Sequence, residues 1–247
     1  MIHSGLWSKE IKEYRYVFVL GLLFTILIGF IGPYYYDRVL EIPGGIEAWG
    51  EIIASSFHQE SWVYWNSVVL LQFSVIMAIA LGVGSLSREV TNKTLDYLLS
   101  YPVSLREILT TKIVAGTTIL VFYIYISSLL FGLFTWYIGF SFPVPQQFFL
   151  SSTVTLMVAL VAYMSAVFLS ALFLRTWSAA AAAIILWGMI IALDLDWLSQ
   201  GHGFLSPMRD AGFWLGNETA FIPIGVGAVF ILILYEISAF FWTRREL

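Results

Sequence analysis

The chain has no cysteine and only three histidines in 247 residues. The first absence excludes disulfides and thiolate metal centres. His3, His58 and His202 are scattered and have no HExxH spacing, so no metal ligand set can be written. There is no GxSxG elbow to present a nucleophile and no GxxxxGK[ST] loop to cradle nucleotide phosphates. No catalytic residue, cofactor site or metal site is therefore assigned, and any ATP-driven work must be supplied by another polypeptide. Charge is scarce as well. Charged residues make up 11% of the chain, against about 25% in an ordinary globular domain. The net charge of -4 gives no basic field for a nucleic-acid partner.

What fills the chain is apolar. Hydrophobic residues are 60% of it and the mean hydropathy is +0.85. An α-helix needs about 20 residues to cross a bilayer core, and six stretches are close to that length or longer: Tyr16–Tyr36, Trp62–Gly84, Ile113–Tyr137, Phe148–Leu174, Ser178–Leu195 and Phe221–Trp242. The expectation is an all-α polytopic membrane protein with six transmembrane helices, a single transmembrane domain over residues 1–247, and the lipid bilayer as its solvent. Basic residues set the orientation, because Lys and Arg are retained on the cytoplasmic side. Of the twelve, only Arg38 and Arg209 fall in segments expected outside. Both termini and the 88–112 loop are thus expected to be cytoplasmic, and the outer face to be acidic.

Ahead of the first span, Ile2, Leu6, Trp7, Ile11 and Tyr14 recur at helical spacing while Ser8, Lys9, Glu10, Lys12 and Glu13 fill the opposite face. This pattern predicts an amphipathic elbow helix over residues 1–15 lying in the inner interface, or alternatively a plain positive anchor. Two outer segments are too long to be turns. Residues 37–61 hold a Pro-Gly-Gly turn at Pro43–Gly45. Residues 196–220 mix glycines and Pro207 with Trp197, Phe204, Phe213 and Trp214, a composition that suits short interfacial or re-entrant pieces. Within the spans charge is nearly absent. Glu236 is either a proton or cation site, or an acid in the inner leaflet that reaches the interface or pairs with a neighbouring helix, and the second is favoured because no intramembrane partner accompanies it. Asn66, Ser67, Gln72 and Ser74 in the second span could line a cavity or bond between helices.

The stretch from Arg88 to Lys112 carries the most information. Leu95, Leu98 and Leu99 lie at i, i+3 and i+4 and form a leucine face on a short helix that Pro102 stops. Ser104 followed by Glu107 is a capping box, so a new helix starts there. A short cytoplasmic helix with an apolar face and nothing in its own chain to cover it suits a helix-in-groove contact.

Glu89, Thr94-Leu95-Asp96, Leu98-Leu99, Ser100, Pro102-Val103-Ser104 and Lys112 resemble the signature of ABC-2 type permeases, the membrane subunits of ATP-binding cassette exporters. The sequence departs from that pattern at Lys93, where the family commonly has glycine, at Asp96 for glutamate, and at Thr111, where glycine often precedes the lysine. The resemblance implies a homodimeric or heterodimeric permease in the cell membrane of a prokaryote, bound to two cytoplasmic ABC ATPase subunits that hold ATP and magnesium. It implies that the loop between spans two and three is the coupling helix, with Glu89, Thr94, Leu95, Asp96, Leu98, Leu99, Pro102, Ser104 and Glu107 forming or bracing the docking element. It also implies that spans two and five line the translocation path, which would place Asn66, Gln72, Phe73, Met77 and Trp187 along it. Export with an unassigned substrate is the leading reading. An ion-coupled transporter or channel, and a membrane assembly scaffold, are the alternatives.

Overall fold

A computed structural model describes residues 4–40, 65–94, 103–137, 145–173, 175–198 and 221–244. All the described elements are helical. α1 spans Ser4–Leu40, α2 Leu71–Thr91 with a π-helical turn Trp65–Leu70 leading into it, α3 Leu105–Tyr137, α4 Pro145–Leu172, α5 Thr176–Leu198 and α6 Phe221–Thr243. Five of them are long and apolar enough to cross a membrane. In α5 the apolar stretch among residues with described side chains runs from Thr176 to Ile190.

α1 departs from the expected elbow. No break separates its amphipathic start from the first span, so the segment forms the opening turns of one helix of 37 residues, about 55 Å long. Its inward face also differs from the one expected. Leu6, Glu10 and Tyr14 are the buried residues of these turns, while Trp7 is 37% exposed. Their i, i+4, i+8 spacing is one stripe of a helix. Glu10, assigned by composition to the polar outer face, therefore sits between two apolar residues on the buried one.

α4 is the centre of the bundle and packs against α2, α3, α5 and α6, while α1 lies along α3. α2 and α4 approach closely at Gly82, where an added Cβ would lie 2.7 Å from the Ala166 Cβ and the Tyr163 carbonyl oxygen. Small residues let helix backbones meet when lipid supplies no hydrophobic drive between them. Near the same contact, α4 bonds to the backbone of α2. Ser170 Oγ accepts from the amides of Leu86 and Ser87 at 3.2 and 2.9 Å and donates to the Val83 carbonyl at 2.9 Å. At the far end of the bundle, Trp65 stacks on Phe131 with ring centroids 4.2 Å apart, and Phe30 stacks on Phe134 at 3.9 Å.

Candidate functional site

At the other end, the start of α1, the end of α2, the start of α3 and the end of α6 gather together. Leu6 packs on Ile108 and Val103, and the Trp242 indole donates to the Leu105 carbonyl at 3.1 Å. The end of α2 and the start of α3 each carry a cap. α2 closes with Thr94 N–H on the Glu89 carbonyl at 2.9 Å and Lys93 N–H on that of Val90 at 3.2 Å, a Schellman arrangement that requires a left-handed residue at its centre. Lys93 fills that place with φ of 55°. It is the position where the resembling family commonly has glycine, for the steric reason that glycine has no Cβ to strain there. α3 opens with the capping box: the Glu107 amide donates to Ser104 Oγ at 3.2 Å, and the Ser104 amide donates to Glu107 Oε2 at 3.0 Å.

Next to these caps lies a buried ionic network centred on Lys112. Its ammonium donates to Glu10 Oε1 at 2.5 Å and to Glu89 Oε1 at 2.9 Å. The three side chains are 2%, 1% and 5% exposed. Lys9 reaches the same Glu89 oxygen at 3.1 Å and Glu13 at 3.5 Å, and Thr94 Oγ1 donates to the second Glu89 oxygen. Although Glu10, Glu13 and Glu89 bring three carboxylates close together, two lysine ammoniums already occupy the space that a cation would take. The network sets two ammoniums among three carboxylates and joins α1, α2 and α3. α4 joins through the backbone, since Tyr163 Oη donates to the Lys112 carbonyl at 3.0 Å. Gly116 makes this possible, because a Cβ there would lie 2.2 Å from that hydroxyl.

A buried ion pair adds little net stability over apolar packing, yet removing one partner costs about 3–5 kcal/mol because the other charge is left unpaired. The consequence is positional. α1, α2 and α3 cannot slide past one another at this level without separating buried charges. A second, more exposed link ties α6 to α3: Arg106 Nη2 donates to Glu236 Oε1 at 3.1 Å, and Thr110 shares a hydrogen bond with the Tyr235 hydroxyl at 3.0 Å. Glu236 is therefore paired with a neighbouring helix, one of the two arrangements within the reading favoured from the sequence.

The structure brings Glu89 and Thr94 together, as it does Ser104 and Glu107. Leu95, Asp96, Leu98, Leu99 and Pro102 lie outside the described residues, as does most of the two outer segments. The expected path residues fall in different surroundings. Asn66 is buried in the π turn, and Met77 is buried with its sulfur near Gly21 of α1. Trp187 donates from its indole to Ser165 Oγ of α4 at 2.9 Å, Gln72 is exposed and Phe73 half-buried. Sequence reasoning missed Glu10 as the partner of Lys112. The signal was present in the 6, 10, 14 spacing, which places an acid on the same stripe as two apolar residues.

Five helices long and apolar enough to cross a membrane define a multi-pass membrane protein. A family model for the ABC-2 family transporter proteins matches residues 9–199, and the chain belongs to that family. A comparison with curated proteins returned no match. The matched segment includes α2, α3, α4 and the whole ionic network, and it ends before α6.

Proposed function

We propose that this chain is the membrane-spanning subunit of an ATP-driven exporter, paired with a second permease subunit, and that two ABC ATPase subunits dock on the turn between α2 and α3. Leu95, Leu98 and Leu99 form the apolar contact, with Asp96 and Pro102 shaping the turn. The observation that carries the reading is Lys112. It lies two turns inside α3 and joins, with Glu89 and Glu10, the helices on both sides of the turn to the start of α1. A displacement of the turn reaches α2 through Thr94 and Glu89, and α3 through Ser104 and Glu107. The two routes meet again at Lys112, where α1 is held. Coupling of this kind needs an element that moves as a unit, and unpaired buried charge is the penalty for moving otherwise.

The position of the charges also favours coupling over an ion relay. Ion-coupled transporters place polar groups and broken helices near the midplane, whereas the described buried charges cluster where the turn enters the bundle. In the complex with its ATPase, spin labels at the exposed Phe122 of two permease copies should change separation when ATP binds. Glu10→Gln keeps a side-chain acceptor for Lys112 and removes one charge. It should leave ATP hydrolysis within about twofold while the nucleotide-driven distance change falls by half or more, a loss on the order of 1 kcal/mol in coupling. An unchanged distance response would show that the network does not transmit the movement.

A further inference from the structure

The geometry points to a binding site for a phospholipid headgroup that bears a phosphate and a primary ammonium, in the groove between Arg106 of α3 and the last turns of α6. Arg106 and Glu236 are 58% and 66% exposed, which is unusual given their surroundings. The outward face of α6 around them consists of Ile233, Ile237, Phe240 and Phe241, all exposed large apolar side chains. Glu236 precedes the helix end at Thr243 by about two turns, roughly 10 Å. This ion pair lies neither in bulk water nor in a protein core. In this proposal it sits at the boundary between headgroups and acyl chains, where a charge is tolerated only with a polar partner.

The groove holds about 580 Å³ and is lined by Arg106, Glu236, Ile237, Phe240 and Phe241, among others. That size suits a headgroup with the first part of an acyl chain, within the range of about 300–1,000 Å³ for small-molecule sites. Its chemistry is dipolar. Guanidinium Nη2 makes the contacts to the carboxylate, at 3.1 and 3.4 Å to its two oxygens. Arginine has five donors in a planar fork, so N–H groups remain to hold a phosphate. The carboxylate accepts at two oxygens and, beside the guanidinium, can take N–H bonds from an ammonium. Arg244 stands 4.1 Å over the Phe240 ring, bringing a second cation to the same end of the groove. An anionic headgroup without an ammonium would meet Glu236 unfavourably, and a trimethylated ammonium has no N–H to donate to it. The apolar residues alongside accept the lipid chain, which selects a lipid over its free headgroup. Of the two helices that form the site, α3 lies within the segment matched by the family model and α6 lies outside it.

Native mass spectrometry of the detergent-purified chain, mixed with equal amounts of phosphatidylethanolamine, phosphatidylcholine and phosphatidylglycerol of the same chain length, tests the site. The wild-type chain should retain phosphatidylethanolamine over the other two by about tenfold, equivalent to about 1.4 kcal/mol. Glu236→Gln should bring the ethanolamine-to-choline ratio close to one, and Arg106→Ala should lower retention of all three. The ratio is read within one sample, so partial loss of folded protein does not imitate the result. Equal retention by the wild type, or a preference that survives Glu236→Gln, would overturn the proposal. So would displacement of the lipid by free phosphoethanolamine at comparable concentration.

Discussion

At the scale of single residues, the most informative are those whose backbone or charge is out of place for their type. Lys93 holds a left-handed conformation that costs a residue with a Cβ roughly 1–2 kcal/mol. Lys93→Gly should therefore stabilise the protein by about 1 kcal/mol after the extra flexibility of glycine in the unfolded chain is offset. That corresponds to a rise of about 2–4 °C in thermal unfolding for a chain of this size, measured in detergent. An unchanged or lower midpoint would show that the Schellman turn is not strained. This turn was legible in the sequence only through the resemblance, because a lysine there carries no turn signal of its own. Ser104 and Glu107 were legible directly: the three-residue spacing of a capping box depends on local geometry, and the expected bonds form. Glu10 was not read correctly. Its polarity assigned it to the outward face, and only its long-range partner, Lys112, explains why it turns inward.

At the scale of elements, periodicity located the helices and left their junctions undetermined. A continuous α1 and an elbow followed by a span have the same apolar pattern through Tyr14 and Tyr16, and what distinguishes them is how Leu6, Glu10 and Tyr14 pack on the rest of the bundle. Helix pairing was equally hidden, since close approach depends on particular glycines. Gly116→Ala should drive a methyl into Tyr163 Oη, 2.2 Å from the new Cβ. This would break the hydroxyl's bond to the Lys112 carbonyl and push α3 from α4, at a cost of about 1–3 kcal/mol by overpacking. Gly188→Ala is the matched comparison, because nothing lies within 4 Å of its added Cβ and alanine is the better helix former. Thermal unfolding should show a lower midpoint for the first variant and no loss for the second. Equal behaviour of the two would mean that the α3–α4 contact at Tyr163 yields without penalty.

At the scale of the whole molecule, a membrane bundle with no phosphate-binding loop has at one end a capped turn braced by buried charge. The class was legible from composition alone, and the family from the motif around that turn. The partner surface is proposed from the spacing of Leu95, Leu98 and Leu99 in the sequence, residues that lie outside the described ones. Docking of an ATPase at that surface is the central claim, and co-purification with the soluble ABC ATPase tests it most directly. The wild-type chain alone should show no ATP hydrolysis and should carry the ATPase through purification as a two-plus-two complex. Leu98→Asp places a charge on the contact, where leaving it unpaired on docking should cost a few kcal/mol. Association should weaken by about two orders of magnitude, at roughly 1.4 kcal/mol per decade, while membrane insertion and yield are preserved. A Leu98→Asp chain that retains the ATPase as well as the wild type, or ATP hydrolysis by the isolated chain, would contradict the account.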